Sequence, residues 1–226
     1  MPSPTIFLSY WREGISDKAY ASKTEFVEDA ARLVNAEFKA LRAAGAAYVQ
    51  LDAPHYTLDS VFPEYSGIDY EQYVKWDNLV LDDVTGTPGL VTGFHLCRGN
   101  GPRANMGVVP YDPYAEIVFG ALNVDRLLLE YDDFQAGDFA PLRFVRPTMT
   151  VVLGLITTKY PTLEDEDTLV RRIEEATRYI PVERLAISPQ CGFASYMENT
   201  NSSQDAQKAK LELLVRVAER VGSELI

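Results

Sequence analysis

Cysteine and histidine are both scarce in this sequence, two of each among 226 residues. So few cysteines exclude the disulfide framework that holds many small secreted domains together. Basic residues are outnumbered, 21 Lys and Arg against 33 Asp and Glu, for a formal charge of −12. That balance argues against nucleic acid, whose phosphates are met by basic patches, and against an anionic membrane surface. No apolar run approaches the ~20 residues that cross a bilayer. The opening MPSPTIFLSYWREG lacks a basic start followed by a long apolar stretch, so it does not read as a signal peptide. Internal repeats, low-complexity tracts and a Pro- or Ser-rich linker are missing too. The expectation is therefore one soluble, acidic, cytoplasmic domain over 1–226, with an ordinary globular composition.

What is present is an alternation. Short β-branched or aromatic runs predict strands at Thr5–Ser9, Ala47–Leu51, Gly89–His95, Arg126–Glu130, Thr148–Ile156 and Arg184–Ser188. Between them, helical spacing predicts helices at Thr24–Ala44, Tyr70–Val84, Asp112–Leu122, Asp165–Tyr179 and Ser203–Val221. In the first helix Phe26, Ala30, Leu33, Phe38 and Leu41 recur on one stripe, and Gly45 stands where a stop belongs. Strand alternating with helix implies a parallel sheet covered by helices. Six strands fall short of an eight-stranded α/β barrel, which typically needs ~250 residues. The sheet is then either open and doubly wound or part of a barrel. Two stretches, Ala53–Gly67 and Asp132–Pro147, are long for connections of this kind, and such loops often act as lids.

Three of the four cysteines and histidines fall at predicted strand ends. His95 and Cys97 close one strand in GLVTGFHLCRGN, and Cys191 closes another in RLAISPQCGFAS. Two residues apart on a strand, His95 and Cys97 project to the same side and can reach one ion. Zinc takes nitrogen and sulfur ligands at ~2.0–2.3 Å in a tetrahedron, and catalytic sites commonly keep one position open. Glu130, ending VDRLLLEYDD, is the candidate carboxylate ligand, with Asp132 and Asp133 as neighbouring alternatives. Two thiolates donate charge and reduce Lewis acidity, so the set suits activating a thiol for alkyl transfer better than acidifying water for hydrolysis. A structural thiolate-rich zinc site is the competing reading.

The segments HLCRGN, LEYDD…GDFAPLRF and ISPQCGFAS resemble the C-terminal catalytic domain of the cobalamin-independent methionine synthase family, in its short bacterial form. PSPTIFLSYW and GAAYVQLDAPHY look like consecutive barrel strands of that family, so the resemblance covers essentially the whole chain. It implies a TIM-type (β/α)8 barrel with zinc held by His95, Cys97, Glu130 and Cys191, the glutamate yielding its place to the substrate thiol. It also implies methyl transfer from a methylated folate (5-methyltetrahydropteroyltriglutamate) to homocysteine, in methionine biosynthesis. The family's Gln-x-Asp motif matches Gln50-Leu51-Asp52 and assigns Asp52, with Gln50, to binding the substrate's amino group. Family barrels begin with two further βα units, so the chain is expected to look like an incomplete barrel, about six of eight units, with self-association through its open edges.

Two departures widen the choice of substrate. The family's Tyr-Asp-Ile-His strand reads VVLGLITTKYP here, and its Asp-Glu-Pro reads Asp52-Ala53-Pro54. The resemblance thus extends to epoxyalkane–coenzyme M transferases, which alkylate another thiol on the same ligands, and to an inactive zinc-binding barrel fragment. His55, in the long loop after Asp52, is assigned a proton-shuttling role on its ordinary pKa of about 6.5, against the plainer reading of a surface histidine. Arg98 and Asn100 are candidates for meeting an anionic substrate group. Tyr10, Trp11, Tyr56, Phe62 and Tyr65 are candidates for stacking on a pterin or lining a lid.

Overall fold

The structure is a computed structural model that describes residues 1–58, 67–99, 110–194 and 202–225. Five of the six expected strands form: β1 (Tyr48–Asp52), β2 (Val91–Leu96), β3 (Arg126–Glu130), β4 (Thr150–Ile156) and β5 (Leu185–Pro189). All pair in parallel, in the order β1-β2-β3-β4-β5. α1 (Lys23–Ala43) precedes β1 and α6 (Gln204–Leu225) follows β5; α2 (His55–Leu58) and α3 (Tyr70–Leu81) connect β1 to β2, α4 (Ala115–Ala121) connects β2 to β3, 3₁₀ turns connect β3 to β4, and α5 (Glu166–Ala176) connects β4 to β5. No helix among the described residues is long and apolar enough to cross a membrane.

The sixth expected strand, Thr5–Ser9, is instead part of a 3₁₀ helix, Pro4–Tyr10. Pro4 has no N–H to give a ladder and its fixed φ suits the first position of a helix. The Ser3 hydroxyl accepts from the Thr5 amide at 3.3 Å and caps the turn. Strand-like pairing is displaced upstream, where Pro2 bridges Asp52 in parallel. There the Ser3 N–H donates to Asp52 O at 2.9 Å, and the Asp52 N–H donates to Met1 O at 2.8 Å.

Helix starts follow side-chain chemistry. Ser22, Asp69 and Asp165 accept from the amides of Glu25, Gln72 and Thr168, capping α1, α3 and α5. Gly45, at φ +101°, ends the turn after α1 in a conformation that a side chain would disfavour.

Period-2 alternation divides the sheet. Leu51, Phe94, Leu127, Val151 and Leu185 lie in one register row, and the first four are fully buried. They face the helices. The other face carries Gln50, Asp52, Gly93, His95, Leu128, Glu130, Gly154 and Ser188, where a barrel interior would be. Tyr48 lies across this face so closely that a Cβ on Gly93 would stand 2.0 Å from its hydroxyl oxygen, which is why β2 carries glycine there.

Candidate metal centre

His95, Cys97, Glu130 and Cys191 converge at the carboxyl ends of β2, β3 and β5, each offering one donor atom within 4.8 Å of the others. The pleat brings His95 and Cys97 to the same side, as the two-residue spacing predicts. Glu130 is the last residue of β3, and Cys191 follows β5 with one residue between. The sulfurs of Cys97 and Cys191 are 3.0 Å apart, and both cysteines are free. The Cys191 thiol donates to Glu130 Oε1 at 2.7 Å, while His95 Nε2 lies 3.1 Å from that oxygen. Donors around a tetrahedral zinc stand roughly 3.3–3.8 Å apart for bonds of ~2.0–2.3 Å. The cluster needs only small side-chain adjustments to meet that.

The electrostatics fit a divalent cation. Burial penalises a charged His95, but hydrogen bonds to Asp52 and Glu130 and the nearby Cys97 outweigh it and raise the imidazole to about 10. Burial likewise opposes a charged Glu130, yet the His95 contacts hold it below the usual carboxylate value. The Cys97 sulfur, burial and the Glu130 charge together push the Cys191 thiol up. Acceptors and latent anions thus crowd one point with a single imidazole to balance them, and a zinc ion would supply the missing positive charge. The residues present fit it.

Asp52 stands behind the imidazole, its Oδ1 2.6 Å from His95 Nδ1. That contact fixes the ring so that Nε2 faces the cluster, the orienting arrangement common to metal-bound histidines. The Asp52 side chain is still 45% exposed, so part of its carboxylate remains open to a ligand. Gln50, His95, Glu130 and Cys191 line one pocket of about 230 Å³ with Leu128, Gly154 and Ser188, the size of a small polar substrate. Cys191 is the exposed member and marks its mouth.

Other expected residues lie elsewhere. His55 is neither a shuttle nor a surface residue. It is fully buried in α2, 4.5 Å and 4.8 Å ring to ring from Tyr56 and Tyr73, with Nε2 3.9 Å from Asp77. Burial drives its pKa down to about 3, so it stays neutral where a shuttle must exchange protons. Asp132 turns from the cluster to pair with Lys159 at 3.0 Å, and Asp133 caps the Gln135 amide. Glu130 is therefore the carboxylate in the cluster. The Arg98 guanidinium packs into the core 5.6 Å over the Tyr111 ring, and the residue serves the site through its backbone N–H, 3.2 Å from Glu130 Oε2. Trp11 packs edge-on against Phe26 and Tyr56 is buried on Asp77, while Tyr10 is exposed. Asn100, Phe62 and Tyr65 lie outside the described residues. Two residues without a sequence motif also reach the site: Gln190, whose amide donates to Glu130 Oε2 at 3.3 Å, and the buried Lys159 behind it. Gln190 adjoins Cys191, which was its one available signal.

Residues 5–220 match the family described as the catalytic domain of cobalamin-independent synthase. The uncharacterized protein YxjH of Bacillus subtilis is 36% identical over 98% of this chain, and a methionine synthase of Pyrococcus abyssi is 27% identical over 76%. The structure of a putative vitamin-B12 independent methionine synthase from Listeria monocytogenes superposes over 98% of the chain with a TM-score of 0.69 at 29% identity. A B12-independent methionine synthase from a Shewanella species, solved with selenomethionine, gives 0.76 over 100% at 22% identity, a likeness of fold. The chain spans 60% of the Bacillus protein and 62% of the Listeria one. With a parallel sheet similar to the TIM-barrel domains of B12-independent methionine synthases and a match across nearly all its length, the chain belongs to the cobalamin-independent synthase catalytic-domain family.

Proposed function

We propose that this chain carries a zinc-dependent thiol methyl- or alkyltransferase centre, with a homocysteine-like thiol as acceptor and a methylated folate as donor. The observation that carries this reading is the convergence of two sulfurs, one imidazole and one carboxylate from three strand ends within 4.8 Å. Bound by His95, Cys97, Glu130 and Cys191, zinc would lower the proton affinity of a substrate thiol while the two thiolates preserve that sulfur's nucleophilicity. Asp52 keeps His95 in the tautomer that presents Nε2, and the exposed part of its carboxylate suits an ammonium group. The buried Glu130 offers the hardest donor of the four, a carboxylate oxygen, and so is the natural one to yield to a thiol.

Asp52→Asn tests both roles of that residue. Losing the orienting carboxylate is expected to weaken zinc binding roughly 10–100-fold. Among zinc-saturated samples, the variant is also expected to turn over homocysteine poorly while simple alkane thiols are spared. Zinc affinity equal to the parent chain would remove the orienting role. Unchanged homocysteine turnover would remove the ammonium role and favour alkylation of a thiol without an amino group, as in coenzyme M.

One feature favours association between copies. Among the described residues β5 has no strand on its far side, and a groove of about 340 Å³ beside it is lined by Ile173, Leu185, Ile187, Leu214 and Val221. An unpaired edge with apolar flanks invites pairing. Sedimentation velocity is expected to show the average mass rising with concentration across the micromolar range. A concentration-independent monomer would contradict this.

A further inference from the structure

Glu130 is held between two sets of partners, and only one of them belongs to the metal cluster. Its Oε1 faces His95 Nε2 and the Cys191 thiol at 3.1 and 2.7 Å. Its Oε2 faces the Arg98 backbone N–H and the Gln190 amide at 3.2 and 3.3 Å. Glu130 is buried, 1% exposed, so a carboxylate that leaves a cation here depends on protein donors to receive it. A buried carboxylate without donors is strongly disfavoured.

Gln190 is fixed in the orientation that supplies such a donor. Its Oε1 accepts from the Lys159 ammonium at 2.8 Å, the Thr157 hydroxyl at 3.2 Å and the Thr158 N–H at 3.3 Å. Three donors on one oxygen forbid an amide flip, because the NH₂ group would then face them. Lys159 is itself buried and anchored on Asp132 at 3.0 Å. Charge on the ammonium polarises the amide and strengthens the bond its other end makes. The contacts to Oε2 sit at the long end of the range for N–H···O bonds, so they can shorten as Glu130 swings away from the cluster.

We propose that Gln190, keyed by Lys159, is a positioning residue that receives the Glu130 carboxylate when a thiol takes its place, and so sets how readily a thiol enters the site. This rests on the metal-thiol reading above. It concerns the free energy of exchange at the centre, not the donor or the alkyl group transferred.

The test uses the full chain loaded with cobalt(II), whose sulfur charge-transfer absorption gains intensity when a further thiolate binds. Homocysteine is titrated into the parent chain, Gln190→Leu, and the paired replacement Lys159→Met with Asp132→Asn. The pair removes both buried charges together, so neither is stranded, and it keeps the test decisive where Gln190→Leu does not fold. Thiol affinity is expected to fall roughly 10–100-fold in both variants, the value of a hydrogen bond to a charged group, while cobalt stoichiometry stays at that of the parent. A merely structural role would lower stability and leave the thiol titration unchanged. Parent-like thiol affinity in variants that hold cobalt overturns the inference and spares the proposed function. A parent chain that binds cobalt but shows no new sulfur absorption with homocysteine overturns both.

Discussion

At the proposed zinc centre, replacing Cys191 by serine is expected to abolish metal retention. The parent chain is expected to hold close to one zinc per molecule, and the variant to bind it at least about 100-fold more weakly. Four-ligand protein zinc sites have apparent binding free energies of ~10–16 kcal/mol near neutral pH, so an average ligand is responsible for roughly 3 kcal/mol, a factor of more than 100. Serine cannot compensate, because its hydroxyl does not ionise at neutral pH and is a harder donor than zinc prefers. Glu130→Gln should lose less, since two sulfurs and the imidazole remain. Competition against a chromophoric chelator gives both affinities directly. Affinity must also fall with acidity. The raised Cys191 thiol and His95, raised to about 10, each hold a proton that zinc displaces. Every displaced proton lowers the apparent affinity tenfold per pH unit over the range where the free site holds it. Unaltered zinc content and affinity in Cys191→Ser would mean the sulfurs do not share an ion.

Which parts of this were legible in the sequence follows from the range of the signals. His95 and Cys97 were legible because two-residue spacing on a strand is a local rule, and Cys191 because strand ends collect functional groups in parallel α/β folds. The helix over Lys23–Ala43 is legible from its helical spacing and Gly45, but its buried face is Val27, Ala30, Ala31, Val34 and Phe38, and the expected stripe member Leu33 is exposed. Thr5–Ser9 departs from the expected strand because β-branched and aromatic content is compatible with either a strand or a short turn of helix. There Pro4 and the Ser3 cap decided the outcome. Glu130 could not be told from Asp132 by sequence, since both have the same alternation parity. The strand stops at Glu130, and the chain then turns Asp132 toward Lys159. His55 departs from the loop expectation for a related reason. Its burial depends on α3 supplying Tyr73 and Asp77, a tertiary fact with no local pattern.

The pH dependence of stability will be nearly flat for the parent chain's His55–Asp77 pair and steep, with opposite signs, when either partner is replaced. Burial drives His55 from 6.5 down to about 3. Burial also raises Asp77 from 3.8 to about 7, against the hydroxyls of Ser3 and Tyr56, which donate to its carboxylate at 2.5 and 2.7 Å. Between about pH 4 and 6.5 the unfolded chain carries one proton on His55 and none on Asp77. The folded chain carries one on Asp77 and none on His55. Equal proton counts mean no slope from this pair. In Asp77→Asn only the histidine remains, neutral when folded and protonated when unfolded. Stability then falls as pH drops below about 6.5, approaching 1.4 kcal/mol per pH unit. In His55→Gln only the raised carboxyl remains, and the folded state keeps a proton that the unfolded chain has released. Stability then falls as pH rises from about 4 to about 7, with the same limiting slope. Denaturant titrations at half-unit pH steps read both slopes, whatever the variants lose in absolute stability. Parallel profiles for the parent and both variants would show that the proton does not pass from His55 to Asp77 on folding. Because Ser3 ties Asp77 to the segment that pairs with Asp52, such an exchange would also link the buried pair to the strand end that orients His95.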